Sequence, residues 1–107
     1  MVLYLFGEHE DIIATVTERE GVTCTLDSAT VTIKSVAGIV IRDDVACSVD
    51  DTTSPKEVWY HETFSTANGY VEDTEYVATF KTTLTRVGAD YIPKPVVNFK
   101  VVAADDE

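Results

Sequence analysis

The side chains best equipped for chemistry in this 107-residue chain fall into a few groups, and the densest is the run Glu8-His9-Glu10-Asp11. Three carboxylates around an imidazole are the ingredients of a metal site, since oxygen ligands suit Ca2+ or Mg2+ and a histidine nitrogen suits a transition metal. Strand geometry sends neighbours to opposite faces, so only alternate members of the run converge, and a solvated loop is the competing reading. The pairs Asp43-Asp44 and Asp50-Asp51 lack the Asp-x-Asp-x-Asp-Gly spacing with which a loop wraps Ca2+. Together with Glu62, Glu72 and Asp73 they would supply an acid and a base for glycoside hydrolysis only across a shared cleft, which nothing in their spacing sets up. His9 and His61 lie in no Gly-x-Ser-x-Gly turn, and no basic neighbour activates Cys24 or Cys47 as a nucleophile. The five glycines are scattered singly, so no phosphate-cradling loop is present in the sequence. The expectation is a protein that is not an enzyme, with no catalytic residue, no resident metal and no cofactor.

The elements that would position these groups are strands. Val and Thr are abundant, and β-branched side chains suit a pleated, half-buried surface better than a helix. Along residues 11–19, Ile12, Ala14 and Val16 share one face while Thr15, Thr17 and Arg19 share the other. After a break at Glu20-Gly21 and a short segment over 22–26, Asp27-Ser28 is expected to turn the chain into a strand over 29–36 with Val31 and Ile33 inward. Ala37-Gly38 ends it, and residues 39–42 and 45–49 read as two short strands around Asp43-Asp44. Residues 50–55 form the best loop, closed by Pro55. The next strand, 56–64, carries Val58, Tyr60 and Phe64 on one face and Trp59, His61 and Thr63 on the other, with the core face undetermined. Asn68-Gly69 supplies a positive-φ turn. Residues 74–85, with Tyr76, Ala78, Phe80 and Leu84 in phase, and 91–102, with Val97, Phe99 and Val101 in phase, read as an antiparallel hairpin. About seven short strands with regular turns describe a single all-β domain over 1–107, an immunoglobulin-like antiparallel sandwich. Residues 1–8 are its N-terminal arm or edge strand and 103–107 an acidic tail.

The net charge of −11 opposes the phosphate backbone of nucleic acid, and the acidity suits solubility, a basic partner or a divalent cation. No basic residue precedes the apolar start and acidic residues follow it, so a signal peptide is not expected, nor is a membrane association. In that setting Cys24 and Cys47, both in phase with apolar neighbours, are read as reduced core residues, with a disulfide as the alternative.

The order of motifs resembles a family of small immunoglobulin-like structural proteins of tailed bacteriophages, found among neck, connector, tail and baseplate components. The carrying pieces are Tyr4-Leu5-Phe6-Gly7-Glu8, the strand pattern of 11–18, the segment 26–34, the penultimate strand 73–80 and the closing strand 97–101. The resemblance implies a virion protein, made in the host cytoplasm, that acts by assembly with other virion proteins and with symmetry-related copies of itself. A cell-surface or adhesion-type binding module, with Ca2+ in its acidic loops, is the alternative.

Contacts for such assembly are expected from amphipathic aromatics and from the ends and edges of the sheets. The candidates are Tyr4 and Phe6 in the apolar arm, Trp59 and Tyr91, and Pro93 and Pro95, which lack a ladder donor and belong at an edge or outside the sheet.

Overall fold

The structure, a computed structural model, describes residues 1–16, 24–52, 56–86, 89–91 and 94–103. Alternating apolar residues fold these segments into nine strands: β1 (Val2–Leu5), β2 (His9–Val16), β3 (Cys24–Ser35), β4 (Val40–Ala46), β5 (Ser48–Asp50), β6 (Lys56–Thr63), β7 (Thr74–Arg86), β8 (Ala89–Tyr91) and β9 (Val96–Val102). One sheet runs β1-β9-β7-β3-β4, with β8 also on β7, and the other runs β2-β6-β5. Neighbours in both sheets are antiparallel except β1, which lies parallel to β9. The protein is therefore an all-β sandwich.

The period-two pattern decides which faces meet. Ile12, Ala14 and Val16 of β2 and Val58 of β6 face Val31 and Ile33 of β3, Ala78, Phe80 and Leu84 of β7, and Phe99 and Val101 of β9, all buried in one cluster. The side that the sequence left undetermined in β6 is settled by its inward Val58 and the following Phe64, which leaves Trp59 and His61 on the outside. Aromatic rings lock the sheets together: Tyr4 stacks on Phe64 at 4.6 Å, and Phe99 meets Tyr4, Phe64 and Tyr76 at 5.3, 5.7 and 5.5 Å. Rings at these separations add to the large apolar area that each removes from water.

Two polar devices brace this core. The Val71 N–H donates to the Tyr76 hydroxyl at 2.9 Å, tying the chain entering β7 back to that strand. Across the sheets, Arg42 of β4 grips Glu62 of β6 with two bonds, Nε to Oε2 at 2.9 Å and a terminal guanidinium nitrogen to Oε1 at 3.1 Å. The Tyr70 hydroxyl donates to the same carboxylate at 2.9 Å and the Thr63 N–H at 3.1 Å, so a side chain only 3% exposed is well supplied with donors.

The structure corrects several boundaries. Asp27-Ser28 does not turn the chain: β3 runs straight through it, and the register with β7 shifts between Leu26 and Ser28. Asp43-Asp44 does not separate two strands either. Val31 pairs with Val45 and Ile33 with Arg42, so Thr32 faces both aspartates and the pair forms a bulge within β4. Asp44 adopts φ 53°, stabilised by Thr30 Oγ1 donating to its carboxylate and by its own N–H donating to Thr32 Oγ1 at 3.1 Å. Asn68-Gly69 ends a short 3-10 turn, Thr66–Asn68, in which Gly69 supplies the positive φ. The strand count exceeds seven because β1 is a strand in its own right and the closing strand is split into β8 and β9. Pro95 lies just before β9 and gives its carbonyl to the Phe80 N–H at 2.9 Å, which fits a residue that has no N–H of its own for the ladder.

Candidate interaction surface

The outer face of the three-stranded sheet gathers the polar chemistry of the chain. Register places His9 opposite Thr63, Asp11 opposite His61, Ile13 opposite Trp59 and Thr15 opposite Glu57, while Ser48 and Asp50 of β5 continue the Trp59 and Glu57 rows. His61 Nδ1 is 2.8 Å from Asp11 Oδ1, His9 Nδ1 is 2.6 Å from Thr63 Oγ1, and the two imidazoles lie parallel with centroids 5.9 Å apart. His9 and Asp11 thus share a face, as strand alternation requires, while Glu10 does not join them. Each ring spends Nδ1 on its own neighbour, and among the described residues no three His, Cys, Asp or Glu side chains converge on a point where a metal would sit. The outer face carries the half-buried Trp59 with Ile13 opposite it and the acidic Asp11, Glu57 and Asp50 in the neighbouring rows.

At one side of the sandwich this face reaches a pair of strand edges. Each of β1 and β2 is a terminal strand of its sheet, and the Tyr4 hydroxyl bridges them by donating to the Asp11 carbonyl at 3.3 Å. Exposed apolar side chains fringe them: Leu3 is 62% exposed, Ile13 50% and Val96 51%. Between them lies an open depression of about 630 Å3 lined by Met1, Val2, Ile13, Val96, Val97 and Asn98. The opposite side is built differently. There β4 carries the Asp43-Asp44 bulge and β5 is only three residues long and runs into Asp50-Asp51. Bulges, charges and shortness are the devices that blunt an edge against another chain; the β4–β5 side has all three, whereas the β1–β2 side has a short β1 and the charged start of β2 but no bulge.

The residues expected to make contacts are distributed unevenly over this surface. Tyr4 turns inward, at 9% exposure, because its place in β1 opposite Val101 puts the ring among Phe64 and Phe99; it serves the core and not a partner. Phe6 packs partly against the core and lines a second hollow with Thr66, Tyr70, Val71 and Glu72. Trp59 stands half-buried on the outer face. Tyr91 pairs with Leu84 through its backbone, and its side chain, like Pro93 and the tail from residue 104 onward, lies outside the described residues. Cys47 is a free thiol packed on the core, whereas the side chain of Cys24 lies outside the described residues.

Ile13 and Val96 escaped the sequence reading, and Leu3 fell within the apolar arm without being singled out. Their signal was present, because each is apolar on the phase of its strand that points away from the core; Ile12-Ile13 in an otherwise alternating strand is the clearest case. Comparison with protein-family models and with curated proteins finds no match to this chain. Among the described residues no helix is long and apolar enough to cross a membrane.

Proposed function

We propose that the chain is a non-enzymatic structural protein of a tailed-phage virion. In this reading it is an immunoglobulin-like sandwich that assembles at the head–tail junction, tail or baseplate with other virion proteins and copies of itself. The observation that carries the reading is the asymmetry of the edges: β1 and β2 pair without a bulge and expose Leu3 and Ile13, although β2 opens with the charged His9-Glu10-Asp11, while β4 is bulged at Asp43-Asp44 and β5 is three residues long. An open edge is a template to which another chain adds a strand through main-chain bonds, and the flanking apolar residues then set which strand fits. The sheet membership agrees with the immunoglobulin arrangement, with β2, β6 and β5 in one layer against β3, β7 and β9 in the other. The quoted family pattern falls on β1, β2, β3, β7 and β9.

The test is sedimentation of the protein alone and with purified neck, tail and baseplate proteins of a tailed phage, compared with the double variant Leu3→Lys/Ile13→Lys. Both residues are exposed, so the variant keeps its melting temperature. The expected result is a complex with the wild-type protein that the variant does not form. A wild-type protein that stays monomeric and binds none of these components would overturn the proposal.

A further inference from the structure

The turn joining β3 to β4 breaks the usual chemistry of turns. It is closed by backbone and by Ser35: the Ser35 N–H donates to the Ile39 carbonyl at 2.8 Å, the Gly38 N–H to the Ser35 carbonyl at 2.9 Å, and the Ile39 N–H to Ser35 Oγ at 3.1 Å. Gly38 takes the positive φ of 95° that the turn needs. None of these bonds uses the side chains of Val36 and Ile39, yet both are apolar and 66% and 65% exposed, where polar residues are the norm. Val71, 61% exposed, stands beside them on the segment leading to β7. Together they wall a cavity of about 200 Å3 that is backed by Ile41 and Tyr76. On its other side Val71 forms the wall of the hollow that contains Phe6, so one apolar ridge separates two depressions.

The cavity is firm. Tyr76 is 2% exposed and holds the Val71 N–H, and Gly69 keeps its backbone against Ile41, where a Cβ would come within 3.4 Å of Ile41 Cδ1. The hollow is half open to solvent, and its volume, beside the ~150 Å3 of an enclosed apolar cavity that admits benzene, matches one aromatic or branched aliphatic side chain. At its rim the exposed Glu72 and Asp73 lie in the chain between Val71 and Thr74, both of which line the cavity, while Glu75 stands opposite Lys100 in the β7–β9 ladder. With a net charge of −11, a second copy of the chain is repelled from such a rim and a cationic segment is drawn to it.

We infer that this end of the sandwich is a socket for a partner segment that inserts one large apolar side chain beside Val71 and sets basic residues against Glu72 and Asp73. The inference deepens the assembly reading by giving the chemistry of one partner, and the socket is separate from the β1–β2 edge.

The probe is a pentapeptide with a central phenylalanine between pairs of arginine, followed by the backbone amide shifts of the full chain. Two controls replace the phenylalanine by serine or the arginines by glutamate. The expected result is shifts at Val36, Ile39, Val71 and Tyr76, with binding at least about tenfold tighter than that of the serine peptide and none by the glutamate peptide. Val36→Ser/Ile39→Ser abolishes these shifts, and Glu72→Gln/Asp73→Asn weakens binding with a smaller salt dependence; asparagine tolerates the φ of 57° at position 73. Equal binding of the serine peptide, or shifts centred on the Asp43-Asp44 and Asp50-Asp51 segments, overturns the socket. Concentration-dependent shifts of the same amides without peptide overturn the choice of occupant in favour of a second copy. Co-sedimentation with virion proteins that persists when the peptide fails leaves the edge reading standing and removes the socket alone.

Discussion

Replacing Arg42 by alanine separates the brace between the sheets from the apolar core around it. The guanidinium supplies both ionic bonds to a carboxylate that is 3% exposed, while its own side chain is 24% exposed. After Arg42→Ala, Glu62 keeps only the Tyr70 hydroxyl and the Thr63 N–H, two neutral donors facing a buried charge. Removing one partner of a buried pair costs ~3–5 kcal/mol, and the partial exposure of Arg42 puts this site at the low end, about 3 kcal/mol. For a domain near this size each kcal/mol moves the melting temperature by about 4 °C, so the expected fall is roughly 12 °C. Urea unfolding should show the same loss with an unchanged slope.

A series of variants then distinguishes the charge from the packing. Arg42→Met/Glu62→Met removes the stranded charge but leaves the Tyr70 hydroxyl buried without its acceptor, at about 1–3 kcal/mol. Adding Tyr70→Phe removes that orphan, leaving the part-buried Thr63 N–H alone without its side-chain acceptor, and should return stability to within about 1–2 kcal/mol of wild type, because apolar replacements of a buried pair are commonly neutral or better. The reasoning is refuted if Arg42→Ala costs under about 1 kcal/mol, or if the triple variant is no more stable than the single one.

Further outcomes follow from ionisable groups. Burial, and next the Glu62 charge, raise the Tyr70 phenol above its ordinary value. The folded state therefore holds that proton more tightly, and its stabilisation is full below the unfolded value of about 10 and lost as pH rises above it; Tyr70→Phe should flatten the alkaline limb of a stability–pH curve. Burial, followed by the Asp44 charge, pushes the Cys47 thiol up to about 11. In a Cys24→Ser background, iodoacetamide should alkylate the folded protein at pH 8 more slowly than the urea-unfolded chain and catch up as pH approaches 11, whereas equal rates at pH 8 would contradict this. The Lys56 ammonium, and next the Leu26 N–H, hold Asp51 below the ordinary carboxylate range. That contribution exists above the unfolded value of about 4 and disappears as pH falls through the lower folded one, so Asp51→Asn should shrink the acid-side loss; because Asp51 is solvent-exposed the change is small, and an unaltered acid limb would show that the Lys56 contact is fully screened.

Much of the fold could be read because alternation is a direct consequence of burying one face of a strand. The inward sets of β2, β3, β7 and β9 follow from it, down to Ile12, Val31, Phe80 and Phe99. Two of the misread points were places where polar residues interrupt a strand without ending it. Asp27-Ser28 and Asp43-Asp44 have the composition of turns, but a bulge has the same local composition and differs only in having a partner strand to pair across it. Glu62 was likewise invisible as a core residue, because its inward place depends on Arg42 reaching from the other sheet. The cross-strand group of His9, Asp11 and His61 depends on the β2–β6 register, which no local pattern specifies.

The residues that spoil the alternation are the ones that remain to be explained. Leu3, Ile13 and Val96 at one edge, and Val36, Ile39 and Val71 at one end, are large, apolar and exposed, and neither the core nor the turns need them. Solubility does not require leaving the β1–β2 edge open, since the same chain closes β4 with a bulge and two aspartates. Net charge cannot substitute for a guard, because repulsion between whole molecules weakens against a cationic partner, and main-chain groups on an open edge then find their acceptors and donors. Where a sequence's local choices otherwise agree with its fold, departures from them are expected at functional or strained sites. The two apolar sites differ in shape and in rim, so on the assembly reading proposed above they would engage different neighbours.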